Sequence, residues 1–466
     1  MRLLERGGVR RLVHHLDAGP ISLDPAHSLD YAAQFILAAV LEPLFVQAAP
    51  GRFELGAATS WRVSDDGLVH QFVLRRDGRW CDGSPVVADD FVTAFGRILD
   101  PARANASAGI LSPLSEAESI APDVLQVVLR NPIDDLPARL AAAATSPVPA
   151  SAGTCDWHPG PCNGPLCVER LSDARIDLRP NPFARPGLRA EAALSIRIDR
   201  ELHRPLANFE AGEVDITCST WFPFDELSRY SHRPELRIGG SPIRFLICGN
   251  EEKVPDWGRL ETRTELSACV DRDAIAGSLS GGVIPWPENA FIDRAASVAT
   301  SSRPAPGSRS AVLMVPDFYP NLIVAKAVTD SWRAAGLIDS EIEALDFPVF
   351  ADRWARTDYD LCLALVVPPY PSTDALAPAL AGFAPRDARA EALELSAAAT
   401  EGATGAAQAD ARVALEAFYE RAMPFIPLLA GRSIWLQRSC VHGYAVFPDG
   451  GHAFRGFRAE PKAIVP

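Results

Sequence analysis

The sequence predicts an α/β protein of two lobes, with a hairpin-rich subdomain inserted into the first. Three observations carry this. The chain has 466 residues, more than one hydrophobic core holds, so two or three packed units are expected. Strand and helix patterns alternate in two separate blocks, residues 164–247 and 310–435, as two α/β lobes would. The stretch 45–160 reads instead as hairpins with few helices. The expected division is a first lobe made of 1–44, 164–247 and a C-terminal 436–466, a subdomain 45–163 inserted into it, and a second lobe of 248–435.

The elements follow in order. Leu12 to Leu16 is a short strand, and "ISLDPAHSLD" after it is rich in turn residues. Tyr31 to Leu44 is a helix, with Tyr31, Phe35, Ala38 and Leu41 on one face and Pro43 limiting its end. Ser60 to Arg76 alternates around "SDDG", the pattern of a hairpin. Asp89 is placed to cap a helix carrying Phe91, Phe95 and Ile98. Val124 to Arg130 is a strand, and Leu136 to Thr145 an alanine-rich helix. "LCVERLSDARIDLRPNP" forms two strands around a Ser172-Asp173 turn, and "ALSIRIDR" a further strand. "LANFEAGEVDITCS" is helix, glycine turn, strand; Ile243 to Cys248 is a buried strand. Leu260 to Leu279 is one helix, and 295–310 an exposed loop. "AVLMVPD", Asn321 to Ala335, Ile342 to Leu345, Asp360 to Val367 and Ala406 to Ala422 then alternate strand and helix.

Composition narrows the function. Hydrophobic residues make up 48% and charged residues 22%, which is globular rather than disordered. A net charge of −14 argues against nucleic-acid and anionic-membrane binding, both of which need basic surface. The most apolar run, Phe35 to Val46, is broken by Glu42 and Pro43 and is too short to span a bilayer. The first 25 residues have no apolar stretch of signal-peptide length. The expected location is therefore cytoplasmic as written, or extracytoplasmic if the start lacks an upstream segment.

No catalytic pattern stands out. "GSLSGG" misses the spacing of a serine nucleophile elbow, and no phosphate loop or dinucleotide fingerprint occurs. Asp65-Asp66 and Asp89-Asp90 sit at turn and cap positions. His14 and His15 are neighbours on a strand, so their rings face opposite ways and cannot chelate one ion together. "CDWHPGPCNGPLC" sets Cys155, His158, Cys162 and Cys167 close together. Zinc needs four converging ligands, and Cys167 belongs to the following strand. A Cys155–Cys162 disulfide, reachable in an oxidising compartment, and free thiols are the other readings. No cofactor and no metal are expected.

Several phrases occur in a fixed order from residue 22 to 429: "SLDP", "LEPLF", "ATSWRVSDDGLVHQFVLRRDGRWCDGSPVVADDF", "NGPL", "LRPNP", "FEAGEVDI", "RTELSACVDRDAIA", "DSWRAAGL", "YDLCLAL" and "MPFIPLL". Together they resemble the large substrate-binding proteins of oligopeptide and dipeptide ABC importers, solute-binding family 5. The resemblance implies a two-lobed periplasmic-binding-protein-like fold (type II, large), two crossing segments, and a hinge that closes the lobes around a ligand. It implies an ABC permease as partner, a small-molecule or peptide-like ligand, and a monomer. An intracellular enzyme of specialised metabolism, or a ligand sensor built on the same cleft, is the alternative, because fold does not fix function.

The same resemblance supplies the candidate contacts. Peptide-binding members carry a W-x-x-D-Y stretch after the "YDL" strand, whose aspartate holds the peptide's ammonium. Here Val366 and Pro369 stand at the tryptophan and aspartate positions, and Tyr370 is kept. Val366, Val367 and Pro369 then form an apolar wall, and the cleft is expected to be more apolar than in peptide binders. Asp374 is either a helix cap or a ligand contact. From the first lobe the candidates are Leu29 and Tyr31, and from the loop after "EVDI" they are Cys218, Ser219 and Trp221.

Overall fold

The computed structural model describes residues 10–460 apart from 29, 104, 106, 153–159, 221, 286–309 and 402–403. Leu29, Trp221, Cys155, His158 and most of the expected loop at 295–310 lie outside the described residues.

The first lobe is built on a four-stranded sheet in the order Arg11–Leu16, Ala193–Ile198, Arg175–Pro180, Leu166–Ser172. The N-terminal strand pairs parallel with Ala193–Ile198, and the other pairs are antiparallel. The hairpin-rich stretch forms its own antiparallel sheet, Ala58–Val63, Val69–Leu74, Val124–Leu129, Leu114–Ala121. Its alternation sets His70, Phe72 and Leu74 inward. Phe72, Phe91 and Leu125 belong to the same buried cluster as Leu12 and Leu178. The insertion therefore shares a core with the first lobe.

The second lobe carries a six-stranded sheet in the order Val283–Pro285, Ile426–Leu436, Leu236–Gly249, Leu361–Val366, Ser310–Pro316, Asp339–Leu345. Alternate residues of its central strand feed two cores: Phe245 and Ile247 pack with Trp332, Leu246 and Cys248 with Phe418. This is why the run reads as continuously apolar, since both faces are covered. The strand starts at Leu236 and lies wholly in this sheet. The chain thus crosses to the second sheet before residue 236, ahead of the boundary that the sequence places at 247.

Local contacts override propensity at four places. The expected alanine-rich helix is one turn, Leu136–Arg139, followed by a 3-10 turn, Ala143–Thr145. There the Thr145 hydroxyl binds the carbonyl oxygens of Arg139 and Ala142 and folds the chain back. The helix beginning at Tyr31 ends at Val40, before "LEPLF" turns away. The expected Leu260 to Leu279 helix is two, Leu260–Ala268 and Arg272–Ser278, because Asp271 caps the second by accepting from Ala274 N at 2.9 Å. Asp90 rather than Asp89 secures the Ala88–Leu99 helix, accepting from Val87 N, Ala150 N and Trp80 Nε1.

Two segments join the lobes, and they run side by side. Thr217 N donates to Leu436 O at 3.0 Å, and Ile434 N to Ser219 O at 3.0 Å. Leu436 N donates to Thr217 Oγ1 at 2.9 Å, and Arg438 N to Asp215 O at 3.0 Å. Ile216 also bridges His14, which ties the ribbon to the edge of the first sheet. A paired ribbon of this kind can twist while its two sheets stay intact, which is the mechanical requirement for a hinge.

Candidate functional site

The lobes face one another across a cleft of about 990 Å³. Gly51 and Phe53 of a hairpin, and Asp134 and Asp135, all of the insertion, line one side. Gly240, Ser241, Arg244 and Arg432 of the second sheet line the other. A smaller cavity of about 80 Å³ adjoins it, with Pro371 and Asp449 common to both walls. Gln47, Ser146, His452 and the run Pro368 to Pro371 also line the smaller one.

Three of the first-lobe candidates meet at the hinge. The Tyr31 hydroxyl lies 2.5 Å from Ser219 Oγ. The Cys218 thiol donates to Asp17 Oδ1 at 3.3 Å and lies 3.3 Å from Thr220 Oγ1. The Tyr31 ring packs edge-on to His452 at 5.1 Å. Burial pushes the Tyr31 hydroxyl, the Cys218 thiol and the Asp17 carboxyl all upward. This cluster fastens the helix that starts at Tyr31 to the crossing segment. His14 and His15 do face opposite ways. His14 packs at a tilt against Phe35, ring centres 4.4 Å apart, while His15 Nε2 lies 2.8 Å from Asp199 O.

The second-lobe candidates divide. Val366 points into the core behind the sheet, with Ala364 and Phe418, because it ends the Leu361–Val366 strand on the inner face of the pleat. It is therefore no cleft wall. Val367 is exposed and lines neither interlobe cavity. Pro369 and Tyr370 line the smaller cavity. Tyr370 donates from its hydroxyl to Asp135 Oδ2 at 2.8 Å, across the mouth between the lobes. Asp374 does not cap a helix; it pairs with Arg412.

The sequence reading missed Arg139, Gln47 and Asp449. Arg139 has its guanidinium buried, with Nε on Asp135 at 2.9 Å, NH1 on the carbonyl oxygens of Gly109 and Ile110, and NH2 on Thr400 O of the second lobe at 3.2 Å. It also lies 4.8 Å from the centre of the Tyr370 ring. Gln47 Nε2 donates to Asp449 Oδ2 at 2.6 Å. Asp449 sits in "FPDGG", which reads only as a turn; long-range pairing is its one distinguishing feature.

The thiol loop also has an unforeseen partner. Cys162 N donates to Cys81 Sγ, 81 residues upstream, at 3.3 Å, and the Cys162 thiol donates to Gly160 O at 3.4 Å. Cys167 is in the Leu166–Ser172 strand, as expected, and its thiol turns toward the loop. Cys81, Cys162 and Cys167 are free thiols. Among the described residues no group of three or more His, Cys, Asp or Glu is arranged to hold a metal ion. The neighbouring Cys162 and Cys167 thiols pull the Cys81 pKa down, while their own are pushed up. Cys81 is also the partly exposed member. It should be the first of the three alkylated by iodoacetamide at neutral pH, read by peptide mass spectrometry; faster labelling of Cys162 would refute this assignment of the thiolate.

Among the described residues no helix is long and apolar enough to cross a membrane. The structure is similar to Haemophilus influenzae OppA in complex with RPPGFSPFR, with a TM-score of 0.84 at 20% identity over 97% of this chain and 99% of that one. At that identity the likeness shows the fold. In sequence the chain is 28% identical over 301 residues to the probable deoxycholate-binding periplasmic protein YgiS of Escherichia coli (strain K12), covering 59% of this chain and 55% of the relative. It is 37% identical over 92 residues to the periplasmic murein peptide-binding protein MppA of the same organism, covering 20% of this chain and 17% of the relative. The matches thus span at most just over half the length of these two relatives. The model described as "Bacterial extracellular solute-binding proteins, family 5 Middle" matches residues 52–306, more than half of the chain. With the two-lobed fold and the paired crossing ribbon, this places the chain in solute-binding protein family 5.

Proposed function

We propose that the chain is an extracytoplasmic solute-binding protein that closes its lobes over a small ligand and delivers it to an ABC permease. The observation that carries this is the 990 Å³ cleft between two sheets joined by a paired ribbon. Ligand sites of this size between lobes engulf small solutes. We further propose a ligand with an apolar body. Pro371 lines the cleft, and Pro368, Pro369 and Pro371 line the smaller cavity that adjoins it; the name of YgiS, a probable deoxycholate-binding protein, supports a solute of that kind. A peptide-like solute is the second reading. Arg244 and Arg432 on the second-lobe side would receive its carboxylate end.

The test is a thermal-shift and calorimetric screen of apolar-bodied solutes against hydrophilic peptides and sugars. A solute present at a hundred times its Kd stabilises the fold by about 2.7 kcal/mol. Saturable stabilisation by apolar-bodied solutes is expected. Stabilisation by hydrophilic peptides alone would remove the apolar reading while leaving solute binding intact.

A further inference from the structure

Three thiols from distant parts of the chain meet outside the cleft. Cys81 lies between the Val69–Leu74 strand and the Ala88–Leu99 helix of the insertion. Cys162 precedes, and Cys167 sits in, the Leu166–Ser172 strand at the edge of the first sheet. None of the three lines the cleft or the smaller cavity, so solute binding gives them no task. We propose that Cys81 and Cys162 are an oxidisable pair that closes to a disulfide by thiol–disulfide exchange, with Cys81 as the attacking sulfur and Cys162 as the resolving one. This goes beyond the solute-binding reading and does not depend on it.

Geometry selects the pair. Cys162 N donates to Cys81 Sγ at 3.3 Å, and one N–Cα bond further on, Cys162 Cα is within about 4.8 Å of that sulfur. A disulfide needs such an approach, with the two Cα atoms about 4.4–6.8 Å apart. Both ends are held in place. The Cys81 turn is closed by Trp80 N on Ser84 O at 2.8 Å and Gly83 N on Trp80 O at 2.9 Å. On the other side Gly164 N donates to Val40 O at 2.9 Å, and Asn181 Nδ2 donates to Gly164 O at 2.9 Å. Cys167 is the less suited partner, because it is fixed in a ladder opposite Arg179. Cys162 is in the loop before that strand, where the chain can adjust to the bond.

Exposure and chemistry assign the roles. Cys81 is partly exposed, whereas Cys162 and Cys167 are buried, so an external oxidant meets Cys81 first. Cys162 and Cys167, with a smaller contribution from Arg179, pull the Cys81 pKa down, and the thiolate is the attacking form. The oxidant is a small-molecule or protein disulfide, RSSR. The Cys81 thiolate attacks one of its sulfurs, a Cys81 S–SR bond forms, and RS⁻ leaves. Cys162 Sγ then attacks the Cys81 sulfur, the Cys81–Cys162 bond forms, and the second RS⁻ leaves. The protons lost by Cys81 and Cys162 end on the two departing thiols. Two protein thiols are oxidised, and one RSSR is reduced to two RSH. The first step also prepares the second. Cys167 draws the Cys162 pKa down, but Cys81 and burial outweigh it and push it up. Capping Cys81 removes its negative charge and with it part of that upward push.

The bond would join residues 81 apart in sequence. The closed segment holds the Ala88–Leu99 helix and the Leu114–Ala121 and Val124–Leu129 strands, most of the insertion. Cross-linking so long a segment restricts the unfolded chain and ties the insertion to the first sheet.

The experiment uses the full chain. Reduced protein, freed of reductant, is incubated with oxidised glutathione at neutral pH and digested without reduction. Mass spectrometry is expected to find a Cys81–Cys162 linked peptide, with Cys167 still open to alkylation after denaturation. The melting temperature should rise by roughly 5–10 °C, and dithiothreitol should reverse both changes. Cys162→Ala should hold glutathione on Cys81 as a stable mixed disulfide, and Cys81→Ser should leave Cys162 unlinked. Linkage of Cys81 to Cys167, or of Cys162 to Cys155 or Cys167, overturns the pairing. Three thiols that stay reduced in oxidised glutathione overturn the site. An unchanged or lower melting temperature overturns the staple even where the bond forms. Should either variant not fold, the peptide map of the unaltered chain still decides.

Discussion

Replacing Asp24 with alanine is expected to destabilise the protein by about 3–5 kcal/mol, the cost of breaking a buried ion pair from one side. Asp24 is 3% exposed and Arg97 is also buried; their side chains form an ion pair. Asp24 Oδ1 also accepts from Ala26 N at 3.1 Å and starts the 3-10 turn Pro25–His27. The pair joins the first lobe to the Ala88–Leu99 helix of the insertion. Removing the carboxylate strands a guanidinium where water cannot reach it. Removing both charges should cost far less, since apolar replacements of similar volume are often close to neutral at such sites. Urea denaturation of Asp24→Ala, Arg97→Leu and Asp24→Leu/Arg97→Leu checks this. A double variant as unstable as the singles would mean that shape rather than charge is what Asp24 supplies.

That pair also explains why "SLDP" was legible as a family phrase. Its neighbours behave alike. Glu42 of "LEPLF" binds Arg185 Nε at 2.9 Å, and its backbone N–H and carbonyl bind the Asn163 side chain of "NGPL", each at 2.9 Å. Asp215 of "FEAGEVDI" accepts from Val13 N at 2.9 Å. Each phrase is a polar node that fixes how two distant segments meet. A buried polar group tolerates few substitutions, so it marks the sequence where the apolar residues around it do not. Strand and helix positions were legible for a simpler reason, since periods of 2 and 3.6 are imposed by burial on one face. The alanine-rich stretch at 136–145 misled because alanine favours a helix wherever nothing else decides. Here the Thr145 hydroxyl decides.

The site was less legible. Pro369 was placed by its position relative to Tyr370, and it does line a cavity between the lobes. Val366, two residues before the proline pair, fell on the other side of the sheet, because a strand gives its residues alternately to two faces. Arg139, Gln47 and Asp449 carry no local signal. Their roles come from partners up to 402 residues away in sequence, and such pairings leave no period to read. Cys81 was overlooked for the same reason.

Arg139→Ala is expected to have two separable effects, one on folding and one on closure. Its bonds to Asp135 and to the carbonyl oxygens of Gly109 and Ile110 stay within the first lobe. They are present whether the lobes are together or apart. Losing them from a buried site should cost about 3–5 kcal/mol of global stability. Its bond to Thr400 O and its place over the Tyr370 ring exist only while the lobes meet. A charged hydrogen bond of this kind is worth about 1.5–3 kcal/mol, and a cation–π contact about 0.5–2 kcal/mol. Closure should therefore weaken by roughly 2–5 kcal/mol. Tyr370→Phe removes one further interlobe bond, from its hydroxyl to the Asp135 carboxylate, and should cost about 1.5–3 kcal/mol. Two more contacts remain at the same mouth, Gly405 N to Asp134 at 2.9 Å and Ser112 to Glu401. The hinge ribbon lies elsewhere and is untouched. Small-angle scattering of ligand-free protein should show a larger radius of gyration for Arg139→Ala and a smaller change for Tyr370→Phe. Solute affinity should fall in proportion to the closed fraction, because binding requires the closed state. An Arg139→Ala protein that is destabilised yet has an unchanged radius would assign Arg139 to folding alone and place the closing force at the hinge.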